Sequence, residues 1–485
     1  MFTEDPVVHD WARKRPRMKL RHQALWADMA GHVLSASILL PPLGTGTEDE
    51  LHHATLLPHI EHVQKCRADV HVQMNLKSGQ SWLSWAMKGP STSPDRIRMF
   101  AKFSLVYMQC GQPQRAEPLL AEVVASLSLS LGPTSSRTRT AQAALAQAYS
   151  LQGKVNQTLD LQRNIVATCE KHLGHNHPDT LEALHKLSVT LWQQGRLSAA
   201  KKIQEAVVEH MTKLFGRKHI QTLEAKNDLG NTVCKFSRQE DLEKAFNLFS
   251  EALEGMTVVL GTEHIRPTYP KENLARVSCL IGDQALLDQA LKLMEEVVET
   301  RKVRMGKEAP WTLMAMGNMA VVLGALGEVQ RAERLILDAL PIGERNMGTE
   351  HIGVLFGRQV LATMLIQQER YGEAEKILVD VSERQKNMSS SDHDFHPDRI
   401  VSMAELARCY QLQGKFKDSI EICNETIRGL KTITSSEDGE HPYTEILTKA
   451  RGKMVELKES QDAGYGSEED LDIRFPENLF KVYRG

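Results

Sequence analysis

Hydrophobic residues recur along this chain at helical spacing and in paired blocks. Between His177 and Gly216, the residues Leu181, Leu184, Leu187, Val189 and Leu191 carry an apolar face through Trp192, and the pattern stops at Gly195. It restarts at Leu197 and runs through Ala200, Ile203, Ala206, Val207, Met211 and Leu214 before Gly216. Spacings of three and four describe amphipathic helices, so the segment predicts a helix pair with a short turn at Gly195 and the listed residues on its buried sides. Pro178 falls in the first turn, where a missing N–H costs nothing, and Asp179 complements the helix dipole beside it. Glycine suits both stops because it reaches the left-handed backbone region that helix ends demand.

The block is one of a series. Glycines follow an apolar residue at Gly132, Gly174, Gly216, Gly261, Gly306 and Gly348, at successive spacings of 42, 42, 45, 45 and 42 residues. Each of the last five is followed by His177, His219, His264, Ala309 or His351, and the series continues at His396 and His441. A second set runs out of phase with the first, at Gly111, Gly153, Gly195, Gly327 and Gly414. Two registered marks over so long a stretch predict stacked repeats, each burying its apolar face against the next. Small residues recur where two helices of a pair would cross: Ser188 with Ala200, Ala320 with Ala332, Ala362 with Ala374. A large side chain there would wedge the pair apart. The three-residue expansions are expected in turns, between helices at 237–244 and 282–289 and between repeats at 388–395 and 434–440. The recurring histidines are expected to cap or bridge the inter-repeat turns.

Composition changes this picture little. Against 59 Lys and Arg stand 62 Asp and Glu, a formal net charge of -3 in 485 residues, so neither nucleic acid nor an anionic membrane is expected as partner. Cys66, Cys110, Cys169, Cys234, Cys279, Cys409 and Cys423 form no C-x-x-C pair and sit inside helical patterns, which fits a reducing, cytoplasmic setting. The N-terminus lacks the basic start and apolar run of a signal peptide, and no apolar run is long enough to span a bilayer.

The stretch His177-Pro178-Asp179-Thr180-Leu181 and the stretch Gly327-Glu328-Val329-Gln330-Arg331-Ala332-Glu333 carry a resemblance. Together they resemble the 42-residue tetratricopeptide repeats of kinesin light chains and of the arrays that end fungal NB-ARC (NLR-like) proteins. The resemblance covers residues 95–458, about eight units. It implies an all-α fold: a right-handed superhelical solenoid of 42–45-residue helix-turn-helix repeats behind a helical N-terminal segment. The segment Asp5-Pro6-Val7-Val8-His9-Asp10-Trp11-Ala12-Arg13 is similar to the end of an NB-ARC winged-helix module, with Glu4-Asp5 where that family carries Met-His. The domains expected are therefore 1–16 as such a remnant, 17–94 as a helical spacer, 95–458 as the array and 459–485 as an acidic, flexible tail. No G-x-x-x-x-G-K followed by Ser or Thr occurs, so the chain holds no phosphate loop.

What the resemblance implies about a site is specific. First helices of successive pairs line a concave groove, and their fifth and ninth positions face it. Carried over by register these are His185 and Val189, Asn227 and Asn231, Glu272 and Arg276, Gly317 and Val321, Gln359 and Thr363, then Ala404 and Arg408. Asparagine at the fifth position clamps an extended peptide backbone in that family, an amide being both donor and acceptor. Arg276 is expected to contact the ligand or to orient Glu272, while Trp192, Met314 and Phe356 add apolar surface. His52, His53, His59, His62, Cys66 and His71 crowd one stretch, but four ligands at a recognised zinc spacing are absent, so no metal is expected. No nucleophile–base set stands out either. The expected function is a protein or peptide-binding scaffold without cofactor or catalysis. The alternative is a sensor or oligomerisation arm of an NB-ARC ATPase carried on a partner chain.

Overall fold

The computed structural model describes residues 19–38, 47–77, 93–110, 112–152, 154–236, 238–388, 397–433 and 442–462. The expected winged-helix remnant at 1–16, His396, His441 and nearly all of the tail at 459–485 lie outside them. Among the described residues every regular element is an α-helix. The chain divides into two compact units, 1–168 and 169–485.

In the first unit α1 (Leu20–Ala36) and α2 (Thr47–Lys77) precede a pair, α3 (Pro94–Gln109) and α4 (Pro113–Leu131). A second pair begins with α5 (Ser136–Leu151) and α6 (Val155–Leu173), the latter reaching the unit boundary. The core joins Ile60 and Val63 of α2 to Met99, Phe100, Phe103 and Val106 of α3 and to Ala116, Leu120 and Val123 of α4. The helices of the expected spacer thus share one core with the first pair. Gly31 makes this possible, since a Cβ there would stand 2.6 Å from the Met99 sulfur.

The second unit continues the series as α7 (Pro178–Gln193) with α8 (Leu197–Phe215), α9 (Ile220–Cys234) with α10 (Gln239–Leu260), and α11 (Thr268–Ile281) with α12 (Gln284–Met305). Then come α13 (Pro310–Ala325) with α14 (Val329–Met347), α15 (Ile352–Gln367) with α16 (Tyr371–Asn387), α17 (Pro397–Leu412) with α18 (Phe416–Ile433), and the closing α19 (Pro442–Asp462). From α7 to α19 each helix packs on the next, and from α7 to α17 each first helix of a pair also touches the first helix of the following pair. The close-packing residues Ser188, Ala200, Ala320, Ala332, Ala362 and Ala374 are fully buried, which places the backbones at the crossings the sequence predicts.

The turns are built from a recurring set of contacts. Gly132, Gly174, Gly216, Gly261, Gly306 and Gly348 hold φ between 85 and 96°, with ψ near 160° where it follows a second helix such as α8. That combination is open only to glycine. Two turns later in the chain a threonine ties the next helix back: Thr138, Thr180 and Thr312 donate to the carbonyls of Gly132, Gly174 and Gly306 at 2.8 Å. His177 and His351 cap α7 and α15 by accepting the Asp179 and Gly353 N–H through Nδ1, while His219 stacks on Phe215 instead.

Two expectations need correction. The extra residues between helices do not lengthen the turns: α10 and α12 are 22 residues long where α8 and α14 have 19, so the insertion is a further helical turn. A helix absorbs them because each added residue gains its own backbone hydrogen bond. On α8 the buried positions are Leu197, Ala200, Gln204, Val207 and Met211, whereas Ala206 and Leu214 face outward. The buried stripe there is narrower than the hydrophobic pattern, and it admits a glutamine.

Candidate peptide-binding face of the first helices

From α7 to α13 the fifth position of each first helix meets the sixth position of the next one. His185 on α7 reaches Asp228 on α9, Nε2 to Oδ2 at 2.8 Å. Asn227 on α9 accepts from the Asn273 amide on α11 at 2.9 Å, and Glu272 on α11 accepts from Asn318 on α13 at 2.7 Å. A parallel rung lies one turn further along, where Arg276 donates to the Asn231 oxygen at 2.6 Å. Residues one turn apart on a helix share a face, so both rungs point the same way. Hydrogen-bonded side chains therefore run from α7 to α13 and fix the register of neighbouring repeats.

One rung carries full charges. Arg301, on α12 and 2% exposed, donates to both oxygens of Glu272, at 2.6 and 3.4 Å, and to the Trp311 carbonyl at 3.0 Å. Its guanidinium also lies 5.5 Å from the centre of the Tyr269 ring. A buried ion pair is tolerable when its remaining donors and acceptors are occupied, as these are. Glu272 is thus oriented by Arg301 and Asn318 rather than by Arg276, which turns to Asn231.

Protonation follows from these neighbours. Burial alone lowers the pKa of His185, but the hydrogen bond and charge of Asp228, with Glu224 beside it, hold it above the usual imidazole value. Burial raises the Glu224 carboxyl, opposed by Arg266 at 3.1 Å and reinforced by Asp228. Trp192, near the end of α7, is half-buried, with the Lys235 ammonium 5.4 Å from its ring centre.

The ladder changes character towards the C-terminus. Gly317 on α13 faces Phe356 on α15, with its missing Cβ 3.0 Å from the ring. Gln359 is 6% exposed, and Ala404 is fully buried. Polar contact resumes where Thr363 on α15 meets both carboxyl oxygens of Glu405 on α17, at 2.8 and 2.6 Å. Val189, Val321, Met314 and Arg408 are half-buried.

A tetratricopeptide-repeat family model matches residues 138–179, 180–221 and 312–353, three segments of 42 residues. The chain carries tetratricopeptide repeats. No curated protein matches it. Among solved structures, kinesin light chain TPR-like repeats from Podosopora anserina share 24% identity over 43% or 44% of this chain and 95% or 97% of that one, at a TM-score of 0.36. BtubC (BKLC) from P. vanneervenii shares 19% over 48% of this chain and 91% of its own, at 0.40. A Rap protein complexed with competence and sporulation factor shares 12% over 74% of this chain and 99% of its own, at 0.45.

The tetratricopeptide register locates what sequence reasoning missed. Asp228, Asn273, Asn318 and Glu405 sit one position after the expected groove residues, and the partner of each lies 42–46 residues earlier in the chain. Matching polar pairs at that spacing was the available signal. A second missed set is a latch at the repeat edge: Glu117, Glu333 and Glu375 accept from Gln152 and Lys154, Gln368 and Arg370, and Gln413 and Lys415. Among the described residues no group of three or more His, Cys, Asp or Glu could hold a metal ion. In the histidine-rich stretch His53 is buried against Gln109, at 2.6 Å. No helix among the described residues is long and apolar enough to cross a membrane.

Proposed function

We propose that the chain is a protein-interaction scaffold that holds an extended peptide segment along the first helices of its repeats. Tetratricopeptide repeats generally bind protein or peptide partners, and the observation that carries the reading here is the inter-repeat ladder. It sets polar groups at repeat spacing on one face, with Trp192 adding apolar surface. Asn227 accepts from Asn273 through its oxygen and donates one amide N–H to Asp228 Oδ1 at 3.4 Å, which leaves its second N–H for a ligand carbonyl. Asn231 is half-buried and one turn away. Glu272, Arg276, His185, Gln359 and Arg408 complete the proposed peptide face. The chemistry is binding, with no cofactor and no reaction assigned.

The test is a pull-down from the native cell with wild type and Asn227→Ala/Asn231→Ala, accompanied by melting curves because Asn227 also supports Asn273. Each lost backbone contact is expected to weaken binding by about 0.5–1.5 kcal/mol. A folded double variant that keeps every partner at wild-type strength overturns the assignment of the face. Under the alternative, an arm of an NB-ARC ATPase, an ATPase chain co-purifies with both forms.

A further inference from the structure

The junction of α15, α16 and α17 concentrates buried polar groups beyond what the ladder uses. Glu405 on α17 is 2% exposed, and the Thr363 hydroxyl lies within 2.6 and 2.8 Å of its two oxygens. That hydroxyl also lies 3.1 Å from the Gln359 carbonyl. Thr363 has one proton, whereas three acceptors surround it. If the proton goes to Gln359, as serine and threonine in helices commonly do, the short contact to Glu405 needs a proton on the carboxyl. One turn before Glu405, Ser402 is fully buried with no hydrogen-bond partner for its hydroxyl. Gln385, in the last turns of α16, is fully buried with neither amide atom partnered. In the repeat register Gln385 takes the place of Met211, which packs with Leu181 and Ala225, so its counterparts are Leu355 and Ser402.

We infer that this junction is a proton-controlled joint: with Glu405 protonated, α17 is locked onto α15 and α16, and loss of that proton loosens it and admits water. Ionisation leaves a buried carboxylate with one shared hydroxyl donor, a costly state unless water reaches it. The unpartnered amide of Gln385 and hydroxyl of Ser402 are groups that entering water would satisfy. Burial holds the Glu405 carboxyl at about 7, opposed by Thr363 and by Arg408 one turn further along α17. The other titratable neighbour is Cys409, itself raised by burial. Across the junction the group in contact with Glu405 is the Thr363 hydroxyl of α15, which does not titrate. An acid raised in the folded state stabilises below its unfolded pKa, and that contribution is lost as pH rises through the folded value. The joint is therefore tight in mildly acidic solution and loose in mildly alkaline solution.

The experiment is amide hydrogen exchange of the full chain at pH 6 and pH 8, corrected for intrinsic exchange, with infrared detection of the protonated carboxyl. Exchange across α17 is expected to rise about tenfold at pH 8, matching the change in protonated fraction across a group titrating near 7. Glu405→Gln, which mimics the protonated form, should keep α17 protected at both values and lose the titrating infrared band. Gln385→Met, filling the site as Met211 does, should reduce the pH 8 opening while leaving the band in place. Equal protection of wild-type α17 at both pH values, or a carboxyl band absent at pH 6, overturns the inference. The outcome is independent of whether a peptide binds the first helices.

Discussion

Two neighbouring junctions of the array solve the same problem with opposite chemistry. Between α11 and α13 the fifth and sixth positions hold Glu272 and Asn318, bonded to each other, with Arg301 paired to Glu272. Between α13 and α15 the equivalent positions are Gly317 and Val360, and Phe356 fills the space beside the glycine. One contact is directional and the other depends on shape. Hydrogen bonds fix register because a one-residue slip leaves charged groups unpaired, while apolar packing supplies area and tolerates small shifts. The array therefore has junctions that specify alignment and junctions that mainly add adhesion.

Breaking the charged junction should produce the largest effect. Arg301→Met leaves Glu272 beside Asn318 without its cation, and removing one partner of a buried pair costs about 3–5 kcal/mol. Thermal unfolding should show this loss, and Glu272→Met/Arg301→Met should recover most of it. A double variant as unstable as the single would mean that Arg301 acts through packing on Tyr269 rather than through charge. The apolar junction should be less costly to disturb. Gly317→Leu drives a side chain into the Phe356 ring and should cost about 1–3 kcal/mol, the range for overpacking. If it costs more than Arg301→Met, shape rather than hydrogen bonding governs alignment here as well.

A third prediction separates the two kinds of junction by pH. His185 is held above its ordinary pKa by Asp228, so its contribution is fully present below the unfolded histidine value of about 6.5 and fades as pH rises through the folded value. Glu224, raised by burial, adds a decline in the same direction beginning nearer the ordinary carboxyl range. Asp228→Asn should lower stability at pH 6 more than at pH 8. Equal losses at both pH values would show that the rung works without the imidazolium.

Much of this was legible in the sequence, and for physical reasons. Pairing, period and close-packed residues follow from rules acting within one repeat: a glycine at a backbone conformation closed to others, Pro178 in a first turn, Ala200 at a crossing. The ladder was not, because it depends on which side chain of one repeat meets which of the next. His185 and Asp228 look unrelated until the repeats are stacked, and Arg301 belongs to a second helix although it serves a first. The same gap explains why Asn227 reads as a ligand clamp in isolation and as half of a carboxamide pair in the fold. The helix extensions in α10 and α12 were missed for a simpler reason, since an inserted turn of good helix formers leaves the flanking pattern unchanged.

The smallest effect concerns a turn where sequence departs from its own repeat. Gly195, Gly282, Gly327 and Gly414 sit between the helices of their pairs with φ of 75, 77, 81 and 72°, and Glu369 occupies the equivalent place after α15 with φ 62°. A side chain in that region costs roughly 1–2 kcal/mol through its Cβ, whereas glycine costs about 0.5–1 kcal/mol in extra unfolded-state freedom. Glu369→Gly should therefore stabilise the chain by about 0.5–1 kcal/mol. The latch beside it should survive, because Gln368 and Arg370 reach Glu333 with their own side chains and not through residue 369. Urea titration of wild type and variant, compared at equal slope, reads the difference. No gain would show that Glu369 offsets its strained backbone with a contact worth as much, and a loss would make it a deliberate exception among four glycines. The predicted gain adds stability beside the apolar junction without touching it, so Gly317→Leu should cost the same with or without it.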